Sequence, residues 1–319
     1  MRSPGVGVRG SFRRFGDKPR TPEPGVRATL YPIGCRVFAA YAGIHSRKRK
    51  PYLVLIIGEL INCTRKKVGE AAQKRDAEFF KEIALRQANA GAGMLDVNGG
   101  LPGQEMEVLP WLVSIVQEAV SIPLCLDSAD PAALRRALPL CKQRAMINSI
   151  TDEAARQQAL LPLLKEFRPK VIALCLGEAG PPNTAAERVS TASRLVDRLT
   201  AEGFVLDDIY VDPCVLPVST GPEHGKALVE ATGLIKARYP GVHVSAGISN
   251  VSFGLPMRKL LNQALLMLLM AQGLDTAIVD PCDPQLMANI RAAEALLGRD
   301  EFCANYIQAF REGKLGETK

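Results

Sequence analysis

Past Pro51 the chain alternates short, almost unbroken apolar runs with longer stretches in which apolar positions recur every three or four residues. Leu53-Val-Leu-Ile-Ile-Gly58 is apolar at every position, the pattern of a strand covered on both faces rather than one half in water. Runs of this kind place strands at 53–58, 93–98, 123–127, 145–148, 171–176, 208–212, 243–249 and 276–280. Helical patterns lie between them, at 75–90 (closed by Gly91), 105–120, 184–201, from about 222, at 256–271 and at 284–297. Ser128-Ala-Asp130-Pro131 supplies an N-cap with proline at the first helical position, and Thr151-Asp152-Glu153 is expected to open the helix after the fourth strand. The polar stretch after the first strand reads as a connection. Eight strand–helix units predict the α/β class and a TIM (β/α)8 barrel, as a single domain over 51–319. An open doubly wound sheet is the alternative, but no GxGxxG follows the first strand, so a dinucleotide fold has no support.

Four of the apolar runs share an ending: Asp127, Asn148, Asp212 and Asn250 each close a strand. In a barrel of this type all strand C-termini open on one face, which carries the active site, so these scattered residues should converge. Two carboxylates and two amides, without a nucleophile, suit recognition of a flat heterocycle rich in donors and acceptors. Asp127 is a ligand group or a helix cap, and Asp130 is better placed to cap. Asn148 can read a ring edge or stabilise a turn. Asp212 precedes Pro213, which favours extended geometry aimed at the barrel mouth, with a structural Asp-Pro as the rival. Asn250 ends the seventh strand in Gly247-Ile-Ser-Asn-Val-Ser-Phe-Gly, where Gly247 would let a ligand approach the backbone. Arg258 could meet a carboxylate tail or lie on the surface. Glu59, Asn62, Asp96 and Asn98 would form a second polar layer, or cap loops. Asp280 and Asp283 make the end of strand eight acidic, which disfavours a phosphate ligand there.

Charge then separates the chain into two parts. Residues 1–50 hold 12 Lys or Arg against two acids, a net +10; the other 269 residues hold 28 basic and 31 acidic side chains, a net −3. With seven Gly, clustered Arg and little apolar periodicity, the first 50 residues read as a basic, disordered extension or a start codon placed too far upstream, with a targeting or anionic-surface arm as the other reading. The body loses the electrostatic basis for binding nucleic acid. No stretch has the length and flanks of a membrane span. The eight cysteines contain no CxxC pair, which points to a reduced, cytoplasmic protein without a zinc site. Three histidines (His45, His224, His243) are too few for a His-rich metal centre, and no metal is expected.

Six ordered strings carry a family likeness: Gly58-Glu-Leu-Ile-Asn-Cys-Thr64, Leu95-Asp-Val-Asn98, Leu124-Cys-Leu-Asp-Ser128, Arg144-Ala-Met-Ile-Asn-Ser149, Tyr210-Val-Asp-Pro213 and Gly247-Ile-Ser-Asn-Val-Ser252. Over about 53–310 the chain resembles the pterin-binding methyltransferases, above all the methyltetrahydrofolate:corrinoid protein type, with a related folate domain in cobalamin-dependent methionine synthase. The resemblance implies a barrel that binds 5-methyltetrahydrofolate and exchanges its methyl group with the Co(I) cobalamin or other corrinoid of a separate partner protein, releasing tetrahydrofolate. It places Asp127, Asn148 and Asp212 on the pterin-anchoring positions, Asn250 beside pterin N5 as the catalytic position, and Arg258 near the folate. Family barrels often form homodimers. Phe253 departs from the pattern, standing where some relatives carry a polar residue. Dihydropteroate synthase is the first rival, but that family uses a Lys and an Arg where this chain has Asn250 and Asp280. A non-catalytic folate-binding or corrinoid-docking scaffold is the second.

Overall fold

The computed structural model describes residues 54–316. The basic extension expected over 1–50 lies outside the described residues, as does the expected strand start at Leu53. Eight parallel strands close into a barrel in sequence order. They are β1 (Leu55–Asn62), β2 (Met94–Asn98), β3 (Leu124–Asp127), β4 (Met146–Asp152), β5 (Lys170–Gly177), β6 (Ile209–Asp212), β7 (His243–Gly247) and β8 (Thr276–Val279). β8 pairs with β1 through Leu55↔Thr276 and its neighbours, which closes the ring. The helices are α1 (Lys66–Gln73), α2 (Ala77–Asn89), α3 (Glu105–Ala119), α4 (Pro131–Ala137), α5 (Ala154–Phe167), α6 (Ala185–Ala201), α7 (His224–Arg238), α8 (Arg258–Ala271), α9 (Pro284–Leu296) and α10 (Ala304–Arg311). This is the TIM barrel that the apolar runs predict.

The unbroken apolar runs have a direct physical account. Successive side chains on a strand point to opposite faces. One set, Ile57, Met94, Cys125, Met146, Ile172, Tyr210 and Ile278, fills the barrel interior as a cluster of its own. The alternate set, with Leu95, Val97, Leu126, Ile147, Ala173 and Val211 among it, packs outward against the helices. Both faces are dry, so carboxylates and amides wait for the mouth, and the buried polar groups lower down are small hydroxyls such as those of Ser245 and Thr276. Helix starts follow their caps: Asp130 accepts from Ala132 N at the head of α4, and Thr184 and Glu187 form a capping box at α6.

Several boundaries differ from expectation. β1 does not stop at Gly58 but runs to Asn62 through a bulge between Gly58 and Ile61, where the Leu60 amide donates to Gln87 Oε1 of α2. The polar stretch that follows holds α1. β4 does not stop at Asn148; it runs to Asp152, because Ile150, Thr151 and Asp152 still pair with β5, and α5 starts only after Glu153. β7 is shorter than expected and ends at Gly247, with Ile248–Ser252 turning as a 3-10 helix. The helices expected from 222 and 256 begin at His224 and Arg258. The turn at Glu301–Cys303 and α10 were not among the expected elements.

Candidate functional site

At the C-terminal ends of β1, β2 and β3, and at Asn148 within β4, the register draws one polar row. Asn62 pairs with Asn98, Asn98 with Asp127, and Asp127 with Asn148. Asp96 lies two residues before Asn98 on the same, inward face of β2. The row is internally bonded: Asn98 Nδ2 donates to Asp127 Oδ2 at 2.7 Å, and Asn148 Nδ2 donates to Asp96 Oδ1 at 3.3 Å. Asp96 therefore stands among the row itself and not in a layer behind it. Asn62 turns the other way, accepting from the Thr64 amide and hydroxyl at 2.9 and 2.6 Å. For that residue the loop-capping alternative holds.

The two carboxylates of this arc are close enough to compete. Burial first, and the charge on Asp127 second, push Asp96 well above the usual carboxylate range. Asp127 is also raised by burial, held back by the hydrogen bond from Asn98 and by the charge of Arg156. Asp96 is the more strongly raised of the two, and a carboxyl that carries its proton can donate as well as accept.

Asp212 ends β6 on the opposite arc, buried. Its carboxylate accepts from Cys214 N at 2.8 Å and from the Gly247 amide. Burial outweighs those two bonds and pushes its pKa up to about 6. The Cys214 bond shows that the structural role weighed for this Asp-Pro is real. It coexists with a position at the barrel mouth.

Asn250 does not close a strand. It sits in the 3-10 turn after β7, exposed, with its carbonyl accepting from Phe253 N. Gly247 has an ordinary φ of −82°, and a Cβ there would meet only Asn250 Nδ2, at 3.7 Å. Arg258, the first residue of α8, donates from Nη2 to Ser249 O at 2.6 Å and from Nε to Ser252 Oγ at 3.1 Å. It braces the turn that carries Asn250. Glu59 reaches the same turn, accepting from Ser249 Oγ at 2.8 Å and pairing with Arg65 at 3.0 Å. Asp280 accepts from Cys282 N and Asp283 caps α9, so both close the loop after β8.

Two residues that the sequence reading did not single out also reach this face. Arg156 and Arg188 donate to carbonyls beside Asp127, Asn148 and Asp212. Each lies on the apolar stripe of its helix (156, 160, 163 and 188, 192, 195), and a charge on a buried stripe was the available signal. Among the described residues no group of three or more His, Cys, Asp or Glu side chains is placed to hold a metal ion. The seven described cysteines are free thiols. No helix among the described residues is long and apolar enough to cross a membrane.

The family model described as "Pterin binding enzyme" matches residues 58–280. The methylcorrinoid:tetrahydrofolate methyltransferase of Eubacterium limosum is 40% identical over 273 residues, covering 83% of this chain and 99% of that protein. The methionine synthase of Mycobacterium tuberculosis is 32% identical over 240 residues, 71% of this chain but only 20% of that much longer protein. Among solved structures, dihydropteroate synthase from Xanthomonas albilineans, in complex with 7,8-dihydropteroate, superposes with a TM-score of 0.58. It is 20% identical and covers 78% of this chain and 94% of its own, a likeness of fold alone.

Proposed function

The chain belongs to the pterin-binding enzymes, and on that premise we propose that it is a methyltransferase moving the N5-methyl group between 5-methyltetrahydrofolate and the Co(I) corrinoid of a partner protein. The observation that carries this reading is the 40% identity to a methylcorrinoid:tetrahydrofolate methyltransferase over 99% of that protein's length. That relative's name also favours the direction in which tetrahydrofolate receives the methyl group.

A pterin presents a flat edge of alternating N–H donors, ring nitrogens and a carbonyl. Asp127 and Asp212 supply acceptors for its donors, in charge-assisted bonds, while Asn148 and, when it carries a proton, Asp96 can answer either kind of group. Asn98 holds Asp127 in place, Glu59 holds the Ser249 turn, and Gly247 leaves the ring room. Asn62 shapes the loop beside them. Asn250 lies at the open side of this row. Its amide has no useful pKa, so it acts by its carbonyl oxygen, which accepts a hydrogen bond from N5–H and stabilises positive charge there. In one direction N5 is a leaving group that must be protonated, and in the other an amine that must aim its lone pair. A fixed acceptor on the N5–H serves both. The partner's corrinoid supplies the cobalt nucleophile or the methyl group. What this chain adds is orientation and preorganised polarity. Arg258 acts on this reading through the Asn250 turn.

The reaction needs a corrinoid protein and a small-molecule folate, and we place it in the cytoplasm, with the protein as a homodimer. The deciding experiment mixes the protein with Co(I) cobalamin and 5-methyltetrahydrofolate, and in reverse with methylcobalamin and tetrahydrofolate. The cobalt spectrum should report methyl transfer. No turnover with free cobalamin and none with a cognate corrinoid protein, despite folate binding, would leave the scaffold reading. Formation of dihydropteroate from added 4-aminobenzoate and dihydropterin diphosphate would favour the synthase, which Asn250 and the acidic end of β8 argue against.

A further inference from the structure

Three arginines on three different helices share one habit of bonding. Arg156, in the first turn of α5, donates from Nη1 to Ala129 O at 2.6 Å and from Nη2 to Ser128 O at 2.9 Å. It also grips Ser149 O twice, from Nε at 3.0 Å and from Nη2 at 2.8 Å. Ser128 and Ser149 directly follow Asp127 and Asn148. Arg188, in the first turn of α6 and fully buried, donates from Nε to Pro213 O at 2.8 Å, from Nη2 to Cys214 O at 3.4 Å and from Nη1 to Thr184 O at 3.2 Å. Pro213 directly follows Asp212. Arg258, first in α8, grips Ser249 O, directly before Asn250.

Ordinary helix chemistry does not explain these positions. A cation in the first turn faces the positive end of the helix dipole, which costs up to about 1 kcal/mol. None of the three is ion-paired with a carboxylate among the described residues. For Arg156 and Arg188, burial pushes the guanidinium pKa down, a sign of desolvation that nearby negative charges only partly offset. What the guanidinium does supply is a rigid planar fork with five donors, able to tie carbonyls on separate segments at fixed spacing. Arg156 spans the connection after β3 and the middle of β4.

We propose that Arg156 is a positioning residue of the methyl-transfer site: by clamping the carbonyls next to Asp127 and Asn148 it sets the spacing at which both meet the pterin edge. Arg188 and Arg258 hold Asp212 and Asn250 in the same way. The inference rests on the pterin-site reading above. It adds that the anchors are held from beneath by guanidinium forks and not by their strands alone. Pterin edge binding depends on that spacing; the events at N5 do not pass through Arg156.

The test uses the full-length protein and direct titration with 5-methyltetrahydrofolate, followed by steady-state transfer assays. The wild-type protein should bind the folate; absence of binding there would sink the functional reading, and this inference with it. In R156A the dissociation constant and KM should rise about tenfold while kcat stays within about threefold. R156K keeps the charge without the fork and should recover little of the loss, whereas added methylguanidinium should restore R156A in part. If R156A is too unstable to purify, R156K alone decides. A KM in R156K equal to that of the wild type would overturn the proposal. So would an R156A variant whose folate affinity is unchanged once the folded fraction is taken into account.

Discussion

Asn250 carries the sharpest expectation for a single residue, because its side chain is exposed while its proposed partner is a reacting nitrogen. Asn250→Ala should lower methyl transfer by about 100-fold or more, the usual cost of removing a preorganised polar group at developing charge. The melting temperature should shift by less than about 2 °C. Unchanged turnover in steady-state assays would remove the N5 role. Asp212 gives a pH expectation of definite sign. Its folded pKa of about 6 lies above the unfolded value of roughly 3.9, so between those values the folded chain binds the extra proton. The group's contribution to stability is present in full below about pH 4. It is lost as pH rises through 6, by about 3 kcal/mol in all. A pterin donating to this carboxylate reverses the balance, since it binds only the ionised form well. Folate affinity should therefore fall, by up to tenfold per unit, as pH drops below about 6. Calorimetry at pH 6 in buffers of differing ionisation heat should register proton release on binding, and none would detach Asp212 from the ligand.

Among the elements, β1, β4 and β7 gave the sequence its difficulty, and for related reasons. An apolar run tells where a strand is buried, not where its pairing stops. β4 continues through Ser149 and Thr151 because β5 still offers carbonyls and amides to pair with, which no property of those residues announces. β7 fails earlier, at Gly247, because the Ile248–Ser252 turn is tied by Arg258, nine residues on from Ser249, and by Glu59, 190 residues before it. The bulge in β1 is similar. Gln87 of α2 accepts from Leu60 N, and a Cβ on Gly58 would stand 2.5 Å from Gln87 Oε1. Gly58→Ala should then destabilise the barrel by about 1–3 kcal/mol and turn Glu59 away from Ser249. Urea unfolding measures the first effect, and an unchanged midpoint would mean that Gln87 moves aside at no cost. Helix starts were legible at Asp130 and Thr184, where the cap is a local bond between neighbours in sequence.

Across the whole molecule, closure of eight strands brings Asp96, Asp127, Asn148, Asp212 and Asn250 to one end of one barrel. The barrel's family match lies within residues 58–280, so a chain trimmed to 51–319 should fold and transfer methyl groups at the rate of the full chain. A loss of rate with an intact circular dichroism spectrum would assign the basic stretch a part in the reaction. The sequence by itself determined the fold class and the polar groups at the strand ends. Two dry faces demand apolar runs, and only the mouth of a barrel tolerates the carboxylates and amides that end them. The tertiary structure alone decided how those groups meet. Whether Asp96 backs the site or belongs to it depends on the register of β2 against β3 and β4, and whether Asn250 ends a strand or rides a turn depends on Arg258 and Glu59. Apart from Arg258, nine residues on from Ser249, these contacts join residues 29 to 190 positions apart, and a pattern read along the chain contains no term for them.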